Sequence, residues 1–171
     1  MRYGWRMTRM LKTRRLSARP IHPEDWPLIH TIQSDVEHGV WVRGPYTPAS
    51  LDRSKRIARR FAAAWDGGYG PYLWELNGQP IGYAGFQPTQ LLGTNAAEAL
   101  WGFVSRVHRQ GFASEAMQAV LRQARPDVER VMTWTLPDNV ASRSLMKKLG
   151  FLYQHDLDHG NLRHVLYRLE A

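Results

Sequence analysis

Apolar residues recur along the chain in two rhythms, one of three and four residues and one of two, and the rhythm changes at glycines and prolines. Leu16 to Arg19 alternates briefly and stops at Pro20, which predicts a short first strand. Pro23, followed by Glu24 and Asp25, suits a helix start, and Trp26, Ile29, Gln33 and Val36 continue at helical spacing to about Asp35. His38 to Tyr46, with Gly39, Gly44 and Pro45, reads as a loop. Thr47 then caps a second helix from about Pro48 to Trp65, whose apolar stripe is Leu51, Ala58, Phe61, Ala62 and Trp65.

Beyond the breaker Asp66 to Pro71, Tyr72–Leu76 and Ile81–Phe86 flank Asn77-Gly78 and predict a hairpin. Ala97 to Val104 makes the next strand. A helix is expected over Gly111 to Ala124, a strand over Arg130 to Leu136, and a helix over Asn139 to Leu149 that closes at Gly150. Phe151 to Leu157 and Arg163 to Leu169 form a closing hairpin about Asp158 to Asn161. Strand and helix alternate in the middle while the flanks are antiparallel, so the expected class is α+β (mixed α/β), a mixed sheet with helices on its faces. At 171 residues the chain suits one domain.

Two stretches carry chemistry. In Val104-Ser105-Arg106-Val107-His108-Arg109-Gln110-Gly111-Phe112-Ala113-Ser114 a strand ends and a helix begins. The first amides of a helix lack intrahelical partners and lie at the positive end of its dipole, and glycine admits a group close to the backbone, so this turn is a cradle for phosphate. About one strand-helix-strand unit later stands Pro137-Asp138-Asn139-Val140-Ala141-Ser142-Arg143-Ser144-Leu145-Met146-Lys147-Lys148-Leu149-Gly150-Phe151. The pair, in this order, resembles the two acyl-CoA-binding motifs of the GNAT superfamily of N-acetyltransferases, and within it the RimJ/RimL type that modifies ribosomal-protein N-termini.

That resemblance implies a mixed, mostly antiparallel sheet of about seven strands, splayed into a V with acetyl-CoA in the opening. It implies that the amides of Arg109, Gln110, Gly111, Phe112, Ala113 and Ser114 hold the pyrophosphate, and that the backbone of Phe103, Val104 and Ser105 pairs with the pantetheine arm. His108 stands where the family more often has Gln or Arg, and Arg109 where glycine is frequent. Asn139 would meet the arm's amides, although Asp138 and Asn139 are also good helix caps. Lys148, with Lys147, would reach the 3′-phosphate.

For acetyl transfer the resemblance offers Ser142 as acid or thiolate-side donor, because the tyrosine many relatives carry seven residues after the asparagine is here Met146. Glu98 is the candidate base and Glu75 the reserve. Trp41, Tyr46 and Tyr83, with Trp65, Tyr72 and Trp74, are candidate walls of the acceptor pocket.

Composition narrows the rest. The chain has no cysteine, which excludes disulfides, thiolate metal sites and a cysteine nucleophile. His155, His159 and His164 lack metal-ligand spacing and read as surface residues, so no metal is expected. Of the net charge of +8, residues 1–20 carry +7 and the rest +1. Residues 1–15 are therefore expected as a basic extension, poorly ordered, ahead of one acetyltransferase domain over 16–171. Nucleic acid is expected only through that arm. With no long apolar run and no secretory leader, a cytoplasmic protein without a membrane partner is expected. The expected function is direct transfer from acetyl-CoA to a primary amine, first of all a protein or peptide α-amine. A small-molecule amine, and a non-catalytic CoA- or nucleic-acid-binding module, remain open alternatives, as does a homodimer.

Overall fold

The computed structural model describes residues 10–43, 48–89, 96–123, 126 and 128–170. Its strands are β1 (Leu11–Lys12), β2 (Leu16–Pro20), β3 (Pro71–Leu76) and β4 (Gln79–Thr89). They continue with β5 (Ala96–Phe103), β6 (Arg130–Thr135), β7 (Phe151–His159) and β8 (Leu162–Leu169). All eight form one sheet in the order β1-β2-β3-β4-β5-β6-β8-β7, antiparallel throughout except between β5 and β6. The five helices are α1 (Trp26–Ser34), α2 (Val36–Arg43), α3 (Leu51–Ala64), α4 (Phe112–Gln123) and α5 (Val140–Lys148). Among the described residues no helix is long and apolar enough to cross a membrane.

The β5–β6 junction sets up the site. The two strands pair in parallel only at Ala96–Arg130, Ala97–Val131 and Glu98–Met132. β5 then runs on to Phe103 against β4, while β6 runs on against β8. The sheet is thus open between them. Every residue from Ile81 to Gln87 is buried, so both faces of β4 are covered. α1 and α3 pack on each other and on β4, with the Phe61 ring 5.1 Å from that of Tyr83, and α4 lies across β1, β4 and β5.

Several expectations change. The β3–β4 hairpin turns as expected through Asn77 and Gly78, both at positive φ as a two-residue turn requires. α3, however, is capped by Ser50, whose side chain accepts from the Arg53 N–H at 3.2 Å; Thr47 lies outside the described residues. The expected loop from His38 is helical through Arg43, because Asp35 starts a new helix: its carboxylate accepts from the His38 N–H and its carbonyl from Gly39. An eighth strand comes from the basic extension. Leu11 is fully buried and pairs with Ala18, and Lys12 with Ser17, so these two residues join the sheet.

Candidate functional site

A cleft of about 1390 Å³ opens where β5 and β6 part, floored by the two strands and walled by α2, α3, α4 and α5. Its inner rim is the turn into α4. Arg109 (φ 60°) and Gly111 (φ 81°) lie in the left-handed region, which reverses the chain before the helix. The Gly111 carbonyl accepts from Glu115, the first intrahelical bond, so the N–H groups of Phe112, Ala113 and Ser114 have no intrahelical acceptor and, among the described residues, no other partner. Gly111, Phe112, Ala113 and Ser114 all line the cleft, as does Arg109; Gln110 does not, and its side chain donates back to the Arg106 carbonyl.

His108 does not extend toward this cradle. Its Nε2 lies 2.8 Å from the Phe103 carbonyl and its Nδ1 3.4 Å from Glu37, so the ring closes the end of β5. The expected backbone edge shifts accordingly. Val104 donates to Ile81 of β4, and Ser105 has turned into a single 3-10 turn whose carbonyl accepts from His108. Since successive residues of a strand aim their peptide groups at opposite neighbours, Trp101 presents its peptide groups to the splay and Phe103 its N–H, the Phe103 carbonyl being held by His108, while Val104 and Ser105 do not. Gly102 lies between them because a β-carbon there would fall 2.7 Å from the Tyr83 ring.

The opposite lip is the start of α5. Asn139 is 7% exposed and its amide is engaged: Oδ1 accepts from the Ser142 N–H at 3.2 Å and Nδ2 donates to Thr135 at 2.9 Å. It caps the helix and fixes Ser142. The Ser142 side chain faces the cleft, and among the described residues its hydroxyl has no hydrogen-bond partner. Met146, one helical turn on, is buried at the cleft wall and offers no proton. Lys148 lines the cleft; Lys147 does not.

Glu98 sits at the last paired position of β5, where the strands separate. Burial pushes its carboxyl up to about 7, against the opposing pull of a hydrogen bond from Gln87 Nε2 at 2.6 Å and the positive charge of Arg60. The other amide atom of Gln87, Oε1, is buried with no donor among the described residues. Glu98 and Gln87 share the cleft wall with Tyr83, whose hydroxyl accepts from Gln33 at 3.1 Å, and with Trp41 from α2. Tyr46 lies outside the described residues. Tyr72 and Trp74 are fully buried in the core, Trp65 packs edge-on against Tyr72, and Glu75 is on β3; none lines the cleft. His159 and His164 do line it, and His164 is buried, contrary to the surface reading. Burial lowers its pKa. Among the described residues no group of three histidines or acids could hold a metal ion.

Pattern reasoning missed four groups of residues. Gln87 could not be read as chemical because its partner, Glu98, is a cross-strand neighbour that only register reveals. Arg53, Arg56 and Arg60 line the cleft from α3 with spacings of three and four, a signal present in the sequence as the polar edge of an amphipathic helix. Trp101 lies beside the splay. Finally, a basic groove of Lys12, Arg14, Arg15 and Arg122 adjoins the cradle and shares Gly111, Ser114 and Lys148 with it.

Residues 15–152 match the model of the acetyltransferase (GNAT) domain. Comparison with curated proteins finds no match. Among solved structures, an acetyltransferase of Agrobacterium tumefaciens strain C58 superposes with a TM-score of 0.81 at 21% identity, covering 100% of this chain and 99% of the other. A GnaT-family acetyltransferase of Bordetella pertussis gives 0.79 at 24% identity, covering 95% of this chain and 100% of the other. RimL, a ribosomal L7/L12 α-N-protein acetyltransferase in complex with coenzyme A, gives 0.75 at 16% identity, covering 93% of this chain and 96% of that one. At these identities the superpositions establish the fold.

Proposed function

Because this chain belongs to the GNAT acetyltransferase family, we propose that it transfers the acetyl group of acetyl-CoA to the α-amine of a protein or peptide by direct attack in a ternary complex. What supports the choice of amine is the Glu98–Gln87 pair on the cleft wall, held at 2.6 Å, in which burial pushes the Glu98 carboxyl up to about 7. A base of that strength matches an α-ammonium, whose pKa is about 7.7 to 8.0, far better than a lysine ammonium at about 10.4. The RimL likeness points the same way.

The residues present fit acetyl-CoA. The open amides of Phe112, Ala113 and Ser114, with Gly111 before them, suit the pyrophosphate, and the groove of Lys12, Arg14, Arg122 and Lys148 suits the 3′-phosphate. The peptide edge of Trp101 and Phe103 suits the pantetheine arm. Bound there, the co-substrate supplies a thioester carbonyl. Glu98 accepts a proton from the incoming ammonium, and the unpaired Oε1 of Gln87 accepts a second N–H and orients the nitrogen lone pair. As the N–C bond forms and the C–S bond breaks, the Ser142 hydroxyl gives its proton to the departing sulfur and takes up the one released by the new amide nitrogen, so that amide and free thiol leave and Glu98 returns its proton to solvent.

The test is a pair of peptides of one sequence, one with a free α-amine and an acetylated lysine, the other Nα-blocked with a free lysine. Acetylation of the first at least tenfold faster, located by fragment mass spectrometry, is expected. Preferential modification of the lysine peptide, or of neither, overturns the reading.

A further inference from the structure

We infer that the acceptor is acidic: the protein selects peptides with aspartate or glutamate in the first few positions after the acetylated residue, and reads them with three arginines of α3. This rests on the α-amine reading above.

Arg53, Arg56 and Arg60 occur at i, i+3 and i+7 of α3, and together with Ile57 and Phe61 they form the face that this helix turns to the cleft. The Phe61 ring lies against Tyr83, and Arg60 acts electrostatically on Glu98, so this face stands on the Glu98 side of the cleft, where the amine is proposed to enter. α3 also carries Lys55 and Arg59, and its one acid is Asp52.

None of the three arginines forms an ion pair among the described residues, and Arg53 Nε is buried with no acceptor. A guanidinium N–H without a partner costs stability unless a ligand satisfies it. Among the described carboxylates that line the cleft, Glu37, Glu98 and Asp138, the one Arg60 acts on is Glu98, whose charge burial disfavours. Three planar, permanently charged forks along one helix, spaced over about two turns, match carboxylates projecting from an extended peptide. The same charges repel a polyamine or a lysine-rich segment, so the face also discriminates against cationic acceptors.

The experiment compares kcat/KM for peptides sharing one N-terminal residue and differing at positions 2 to 5 as Asp/Glu, Asn/Gln or Lys, with glucosamine 6-phosphate as a non-peptide anionic amine. The protein is used as the full chain and as two charge-reversed variants. Arg56→Glu/Arg60→Glu changes the cleft face; Arg59→Glu alters an exposed arginine of the same helix that does not line the cleft. The acidic peptide should exceed the lysine peptide by at least tenfold, with the advantage shrinking at higher salt. The double variant should abolish or invert the order, and Arg59→Glu should leave it unchanged. Equal rates for acidic and lysine peptides overturn the inference while sparing the α-amine reading. Acetylation of glucosamine 6-phosphate in preference to every peptide overturns both, and assigns the arginines to a phosphate.

Discussion

Arg15 reaches Glu115 across one hundred residues of sequence, its Nε donating to Oε2 at 2.6 Å. The Arg15 N–H and the Thr13 hydroxyl share the other carboxylate oxygen, while Arg15 Nη1 donates to the Gln110 carbonyl at 3.0 Å and the guanidinium lies 4.2 Å from the Phe112 ring centre. The turn between β1 and β2 is thereby stapled to the first turn of α4, the turn proposed to hold the pyrophosphate.

Burial alone would raise the Glu115 pKa, but the hydrogen bonds from Thr13 and Arg15 and the charge of Arg15 hold it below the ordinary carboxylate value. A depressed carboxylate contributes stability above its unfolded pKa and loses it as pH falls through the folded one. Glu115→Gln should therefore lower Tm at pH 7, by an amount worth about 1 kcal/mol or less for a partly exposed pair, and the deficit should vanish in the acid limb. Thermal unfolding at pH 7 and pH 3 checks this; equal deficits at both would contradict it. The same variant should weaken acetyl-CoA binding.

Glu98 has the opposite sign. With its folded pKa raised from 4.5 to about 7, its contribution is fully present below about pH 4.5 and is lost as pH rises through 7. Glu98→Gln should accordingly gain stability relative to wild type at pH 8 but not at pH 4, by at most about 3 kcal/mol. Turnover should fall roughly 100-fold in the same variant, and the wild-type kcat/KM should lose activity below about pH 7. A variant that is less stable at pH 8 and fully active removes Glu98 from the mechanism.

Ser142→Ala should reduce kcat by roughly 10- to 100-fold, the worth of one hydrogen bond to a developing charge, with Tm and the KM for acetyl-CoA unchanged. Its backbone N–H, which holds the Asn139 cap, survives the substitution. An unaltered kcat would transfer the thiolate-side role to another donor.

Local rules read most of the elements correctly. Asn77-Gly78 specified its hairpin and Asn139 its helix, because turns and caps depend on a few adjacent residues. α2 escaped because Gly39 resembles a loop signal, and Asp35, already read as the end of the first helix, also starts the second through its bonds to His38 and Gly39. Leu11 escaped because the surrounding arginines masked a single core residue. The strand-to-helix turn at Gly111 was legible as a motif. Its support was not: Arg15–Glu115, Gln87–Glu98 and His108–Phe103 are contacts fixed by how the elements stack or pair. Asn139 shows the reverse case, a motif residue whose side chain is engaged in a plain helix cap.

The most direct test of the account is the thermal shift produced by acetyl-CoA in wild type and in Ser114→Glu. Glutamate at the third position of α4 suits the helix itself, so the variant should fold, while its carboxylate would compete for the amides of the cradle. At about 100 times its dissociation constant, acetyl-CoA should stabilise the wild type by about 2.7 kcal/mol, or roughly 5 to 11 °C, and leave the variant nearly unmoved. No shift in the wild type, or the same shift in both proteins, would contradict the assignment of this cleft to acetyl-CoA.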